Sequence, residues 1–136
     1  MHTKIRKTLL FPAAIAALLL IANVTFAQKD TTPKKRLRSP AVAKGTIGGE
    51  SHDSYVIRAR KGQTMTVRIS WHVEGENGAA FTVSESADFF GGEQLGFGEE
   101  SDEGKRWTGK IPQTRDYFIY VTAHPTADYV LRVNLK

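Results

Sequence analysis

Apolar and polar residues alternate with period two along most of this chain. That is the pattern of strands with one face in a core and the other in water. In Asp53–Arg60, Tyr55, Ile57 and Ala59 share one face, with Val56, Arg58 and Arg60 on the other. In Gln63–Trp71, Met65, Val67, Ile69 and Trp71 oppose Thr64, Thr66, Arg68 and Ser70. Ala79–Ser84 sets Phe81 and Val83 against Thr82 and Ser84. Tyr117, Ile119, Val121 and Ala123 alternate with Phe118, Tyr120 and Thr122. Tyr129, Leu131, Val133 and Leu135 alternate with Val130, Arg132 and Asn134. Weaker strands are expected at Ala41–Ile47 and Arg106–Ile111. The His124–Ala127 turn predicts a hairpin between the last two strands.

No segment carries a helical apolar stripe. Short strands separated by Gly, Pro, Asn and Asp predict an all-β sandwich or barrel with antiparallel pairing, and the shared phase predicts a core of Tyr55, Ile57, Val67, Ile69, Phe81, Ile119, Val121, Leu131 and Val133. Glu85–Lys105 breaks the pattern. It holds five glycines, the aromatics Phe89, Phe90 and Phe97, and the acids Asp88, Glu93, Glu99, Glu100, Asp102 and Glu103. Connections that long are uncommon in compact domains and often serve function. A short strand around Leu95–Phe97 would shorten it.

The N-terminus reads differently. Lys4, Arg6 and Lys7 precede an apolar run from Leu9 to Ala22, and Thr25-Phe26-Ala27 offers small residues at the −3 and −1 positions. Residues 1–27 are therefore expected to be a cleaved secretory signal. The run is too short to span a bilayer, which needs ~20 residues, so no stable membrane insertion is expected. The product is expected to be secreted or periplasmic. The chain has no cysteine, so its stability comes from packing and not from disulfides.

Charge is spread unevenly along the chain. Of the formal +5, three charges lie in residues 1–27 and a net four in Gln28–Ser39, leaving −2 on the rest. Residues 28–40, with Lys29, Lys34, Lys35, Arg36 and Arg38 and little apolar content, predict a disordered basic arm ahead of a sandwich domain over 41–136. Such an arm reads first as a solvated spacer; the alternative is an electrostatic tether to anionic glycan or lipid headgroups, with nucleic acid not expected outside the cytoplasm.

Two blocks carry a resemblance. One is Ser54-Tyr55-Val56-Ile57-Arg58-Ala59-Arg60-Lys61-Gly62-Gln63-Thr64-Met65-Thr66-Val67. The other is Trp107-Thr108-Gly109-Lys110-Ile111-Pro112, with Asp116-Tyr117-Phe118-Ile119-Tyr120-Val121 and Tyr129-Val130-Leu131-Arg132-Val133. Together, over roughly Gly45 to Lys136, they resemble the bacterial pre-peptidase C-terminal domain and its stand-alone relatives, including periplasmic inhibitors of g-type lysozyme. The resemblance implies a jelly-roll-like sandwich. One position departs from it: Arg115 stands where relatives usually carry Gly. If that position needs a positive φ, Arg costs about 1 kcal/mol and the turn differs.

Candidate chemistry is sparse. Ser51-His52-Asp53-Ser54 contains the residue types of a hydrolase triad, but neighbours in an extended segment point to opposite faces and cannot converge. Glu99–Glu103 lacks the alternate spacing of a calcium loop, and His52, His72 and His124 share no zinc-ligand spacing and sit near turns, where surface placement is expected. No catalytic residue, cofactor or metal is expected. The chain is read as a non-catalytic binding protein. Standing alone after a signal, it is expected to meet a separate target: a protein such as a lysozyme, or a cell-wall or extracellular glycan. For a protein partner the candidates are Phe89, Phe90, Phe97, Glu99, Glu100 and Asp102, an acidic, aromatic-tipped surface suited to a basic lysozyme. For a glycan they are Trp71, Phe118, Tyr120 and Arg132, with Arg58 and Arg68 as neighbours.

Overall fold

The computed structural model describes residues 28–136; the expected signal lies outside the described residues. Nine strands follow in chain order: β1 Lys34–Leu37, β2 Ala41–Gly48, β3 Asp53–Ala59, β4 Thr64–Trp71, β5 Gly78–Ser84, β6 Glu99–Ser101, β7 Arg106–Lys110, β8 Arg115–His124 and β9 Thr126–Leu135. They form two sheets, a four-stranded one in the order β1-β3-β8-β5 and a five-stranded one in the order β2-β9-β4-β7-β6. Every pairing is antiparallel except β1 with β3. The two sheets do not close into a barrel, so of the all-β architectures the alternation allows, the chain forms the sandwich that the resemblance implies.

The inner faces interlock as period two requires. Tyr55 and Ile57 of β3, Met65, Val67 and Ile69 of β4, Val83 of β5, Trp107 of β7, Tyr117, Ile119 and Val121 of β8, and Tyr129, Leu131 and Val133 of β9 are buried in one core. Phe81 is only half-buried at its margin. The Trp107 indole needs two glycines: a Cβ on Gly98 or on Gly109 would lie 2.6 Å from its ring carbons.

Three expectations are corrected, and a fourth, conditional one is resolved. First, β8 and β9 are not a hairpin. Only Pro125 separates them; a proline has no N–H to close a turn, and one residue cannot supply a two-residue loop. The chain instead crosses between sheets, β8 pairing β3 and β5 while β9 pairs β2 and β4. Second, the basic arm is not wholly disordered. Lys34–Leu37 pairs in parallel with Ser54–Ile57, half-buried Leu37 packs against the core, and Arg36 meets Asp116 at 3.2 Å. The free edge of β3 supplies backbone partners whatever the side chains, and Lys and Arg suit an edge strand. Third, the added strand is Glu99–Ser101, not Leu95–Phe97. Leu95 N–H donates to Val83 O (2.9 Å) and the Gln94 side-chain carbonyl accepts from Val83 N–H (3.0 Å), so this stretch caps the edge of β5. Fourth, Arg115 takes no positive φ. It opens β8, donating to Glu85 O (3.0 Å) and meeting the Glu85 carboxylate at 3.3 Å.

Candidate functional site

The segment after β5 folds back over the outer face of the four-stranded sheet. Ser84 and Ser86 hydroxyls organise its start. Ser84 Oγ accepts from Ser86 N–H (3.0 Å), and Ser86 Oγ accepts from Asp88 N–H (3.1 Å). Asp88 then caps a single 3-10 turn, Phe89–Gly91, by accepting from Phe90 N–H (2.9 Å). Short polar side chains that bond backbone two residues on favour such turns.

What holds this turn against the sheet is an aromatic stack. Phe89 lies flat on His52, with ring centroids 3.9 Å apart at an interplanar angle of 10°. Tyr120 meets Phe89 edge-on at 5.5 Å, and its hydroxyl donates to Ser86 O at 2.5 Å. Below the stack, Asp30 of the arm bonds His52 Nε2 at 3.2 Å and accepts from Phe89 N–H at 3.3 Å. The His52 side chain is only 8% exposed, which corrects its expected surface placement. His72 and His124 are exposed.

The electrostatics follow from this packing. Burial alone would raise the Asp30 carboxyl. The N–H groups of Thr32 and Phe89, the Thr32 hydroxyl and His52 together outweigh burial and hold it below its ordinary 3.8. Burial pushes the Tyr120 phenol up to about 12, with Asp30 and Asp88 adding to the rise. On the inner side, burial together with Asp53 and Tyr55 keeps the Tyr129 phenol protonated far above its usual range.

The six protein-contact candidates separate into three environments. Phe89 is half-buried beneath the turn, while Phe90, edge-on to it at 5.3 Å, projects with 49% of its surface exposed. Phe97 is half-buried against Trp107, at 5.8 Å. Glu99 and Glu100 lie exposed on edge strand β6, and Asp102 is exposed in the β6–β7 turn with φ 55°. Among the described residues none of these three acids lies in an ion pair, nor do three or more His, Asp or Glu cluster around a point that could hold a metal.

The four glycan candidates do not share a face. Trp71 ends β4 on its inner side, half-buried, with Lys105 Nζ 5.2 Å from its ring. Phe118 and Tyr120 lie on the outer side of β8 in the other sheet, where Tyr120 is buried at 1% exposure. Arg132 is on the outer side of β9, in the five-stranded sheet. Arg58 pairs with Asp116 (3.8 Å) on the four-stranded side, away from Arg68.

His52 and Asp30 belong to the site but were not readable as such. The phase of β3 puts His52 on the outer side with Ser54. Its meeting with Phe89 and Asp30 depends on tertiary packing. The same phase separates His52 from Asp53, which accepts from the Tyr129 hydroxyl, so the Ser-His-Asp-Ser run assembles no triad.

No family model matches the chain, and no curated protein matches it. Solved structures do. PliG of Aeromonas hydrophila, a periplasmic lysozyme inhibitor of g-type lysozyme, is similar at 23% identity and TM-score 0.61, over 76% of this chain and 96% of that one. The pre-peptidase C-terminal domain of the Bacillus anthracis collagenase is similar at 17% identity and TM-score 0.57, over 79% and 100%. PliG of Salmonella Typhimurium, also a periplasmic inhibitor of g-type lysozyme, is similar at 21% identity and TM-score 0.51, over 76% and 98%. The chain thus has the sandwich fold shared by the pre-peptidase C-terminal domain and the PliG inhibitors.

Proposed function

We propose that this chain is an exported, non-catalytic domain that binds another protein, and that its target is a cell-wall hydrolase of the g-type lysozyme kind. The observation that carries this reading is the extent of the likeness: the chain spans 96% of the Aeromonas structure, a periplasmic lysozyme inhibitor of g-type lysozyme. The Glu85–Lys105 segment supports it locally. Phe90 is a large apolar side chain held outward on the rigid Phe89–His52–Tyr120 stack. A pre-ordered aromatic anchor loses little entropy on docking. The unpaired acids Glu99, Glu100 and Asp102 suit a basic partner during approach. Residues 1–27 serve as the signal in this reading, leaving Gln28 at the new N-terminus.

The deciding experiment measures lysis of peptidoglycan by a g-type lysozyme with and without the purified protein, beside direct titration of the two. Stoichiometric inhibition with salt-sensitive association is expected. Absence of both binding and inhibition across a panel of g-type lysozymes would sink the reading. Mass spectrometry of the exported product should find Gln28 first; a product that retains Met1 would remove the export step.

A further inference from the structure

We propose that the outer face of the five-stranded sheet is a second binding site, which takes an acidic polysaccharide across a row of three arginines. The row is set by register. Arg68 of β4 lies directly opposite Arg132 of β9 and directly opposite Arg106 of β7. All three are exposed and point outward. Neighbouring strands are ~4.8 Å apart, so the bases of the three side chains span about 10 Å across the sheet. They line one groove of ≈ 390 Å³.

Like charges directly opposite one another on a sheet are destabilising. Among the described residues no carboxylate forms an ion pair with any of these three arginines. The arginines on the other sheet are treated differently: Arg36 and Arg58 share Asp116, and Arg115 has Glu85. Arg38 and Arg60 also stand outside these ion pairs, but neither lines this groove. Three arginines side by side in one groove without a carboxylate in an ion pair are suited to anionic groups from outside. Guanidinium forks match carboxylates two bonds at a time.

The rest of the groove selects the kind of anion. Beside the arginines its lining includes Lys136, the polar Thr64, Thr66 and Asn134, and the apolar Pro40, Ala41 and Val42, with Val42 60% exposed. Hydroxyl and amide groups beside small apolar surface suit a sugar ring, which has hydroxyl edges and C–H faces. A linear polymer with one carboxylate per sugar, laid across the strands, would meet the arginines in turn. Aromatic hot spots of protein partners favour well-packed apolar pockets, and the apolar lining here is limited to Pro40, Ala41, Val42 and Val133. The row lies on the other sheet from Phe90, but it adjoins the acids proposed to meet a lysozyme: Glu99 and Glu100 are on β6, which pairs with β7 beside Arg106, and Asp102 lines a cavity with Arg68 and Arg132. Phe90→Ala therefore separates the two sites, since it should weaken lysozyme binding and leave alginate binding unchanged.

Titration of the whole purified protein with alginate, with neutral dextran and with poly-L-glutamate tests this. Alginate should bind, dextran should not, and poly-L-glutamate should bind at least about tenfold more weakly; all association should fall as salt rises. The double variant R68Q/R132Q should weaken alginate binding by about tenfold or more. R36Q/R58Q, on the opposite sheet, should leave it unchanged. Melting temperatures confirm folding, and R106Q serves as the single-site variant should the double one fail to fold. Unaltered binding by the folded R68Q/R132Q variant, or by R106Q in its place, overturns the proposal. So does equal binding of poly-L-glutamate, which would assign the face to an acidic protein segment, and so does a failure of alginate to bind.

Discussion

The two outer faces of this sandwich are built from the same alternation and end in opposite states. On the four-stranded side, Ser54, Val56 and Tyr120 face outward by phase yet are buried. The Glu85–Gly92 turn crosses that side, and the Arg36, Arg58 and Arg115 charges there are each met by a carboxylate. On the five-stranded side, Thr64, Arg68 and Ser70 of β4 and Arg132 of β9 stay exposed, and the arginines stand beside one another unpaired. Outward phase therefore says where a side chain points, not whether it meets water. The difference is made by the Glu85–Gly92 part of the long connection and by the N-terminal segment through Asp30, which both land on the four-stranded sheet, while the same connection adds only edge strand β6 to the other.

The sharpest way to break this contrast is to place a carboxylate at matched outward positions. Ser54 is 2% exposed, and its hydroxyl has no hydrogen-bond partner. Ser54→Asp buries an unpaired charge at a cost of several kcal/mol, enough to unfold a domain with a total stability of about 5–15 kcal/mol. Thr66→Asp, facing the bare side between Asn134 and Thr108, should change the urea midpoint little. Equal losses at the two positions would mean the faces are alike. Next in size is Tyr120→Ala, which removes a fully packed ring and its bond to Ser86 O. About 3–5 kcal/mol should be lost in urea unfolding, against about 0.5 kcal/mol or less for Arg68→Ala.

The third test asks whether the covered face exists to present Phe90. Phe90→Ala should leave urea unfolding nearly unchanged, because the ring is half in solvent. It should weaken binding to a captured lysozyme by about 2 kcal/mol in titration calorimetry. A full loss of stability with no loss of binding would make Phe90 part of the fold and not of the contact. The smallest effect is on pH. The two carboxyls held low, Asp30 and Asp116, both belong to the four-stranded side. Hydrogen bonding from Arg36 is the main cause at Asp116. Groups depressed in the folded state stabilise it above their unfolded value and lose that contribution as pH falls below 3.8 through the folded value. Thermal melts should therefore fall off at acid pH, and Asp30→Asn should flatten the slope. An unchanged slope would mean that the arm does not dock in solution.

Period-two alternation was enough to place β2, β3, β4, β5, β7, β8 and β9 and nearly all of the buried core, because burial on one side of a strand imposes its own signature on composition. The two blocks around Tyr55 and Trp107 also pointed to the sandwich found. The Phe89-Phe90 pair was legible as two rings that could not both enter one core, and the structure half-buries Phe89 and projects Phe90. What the sequence left open were the meetings between distant segments. Pro125 reads as a hairpin turn but carries the chain between sheets. Lys34–Leu37 reads as solvated charge but takes up the free edge of β3. His52 reads as a turn residue until Phe89 and Asp30 close on it. The arginine row depends on strand register, in which Arg132, Arg68 and Arg106 come side by side from three separate stretches of chain. Local pattern determines which way each residue faces, since that depends on its neighbours in sequence. Which residue stands across from it, and what covers it, is decided by pairing and packing over long separations, where backbone hydrogen bonds are indifferent to side-chain identity.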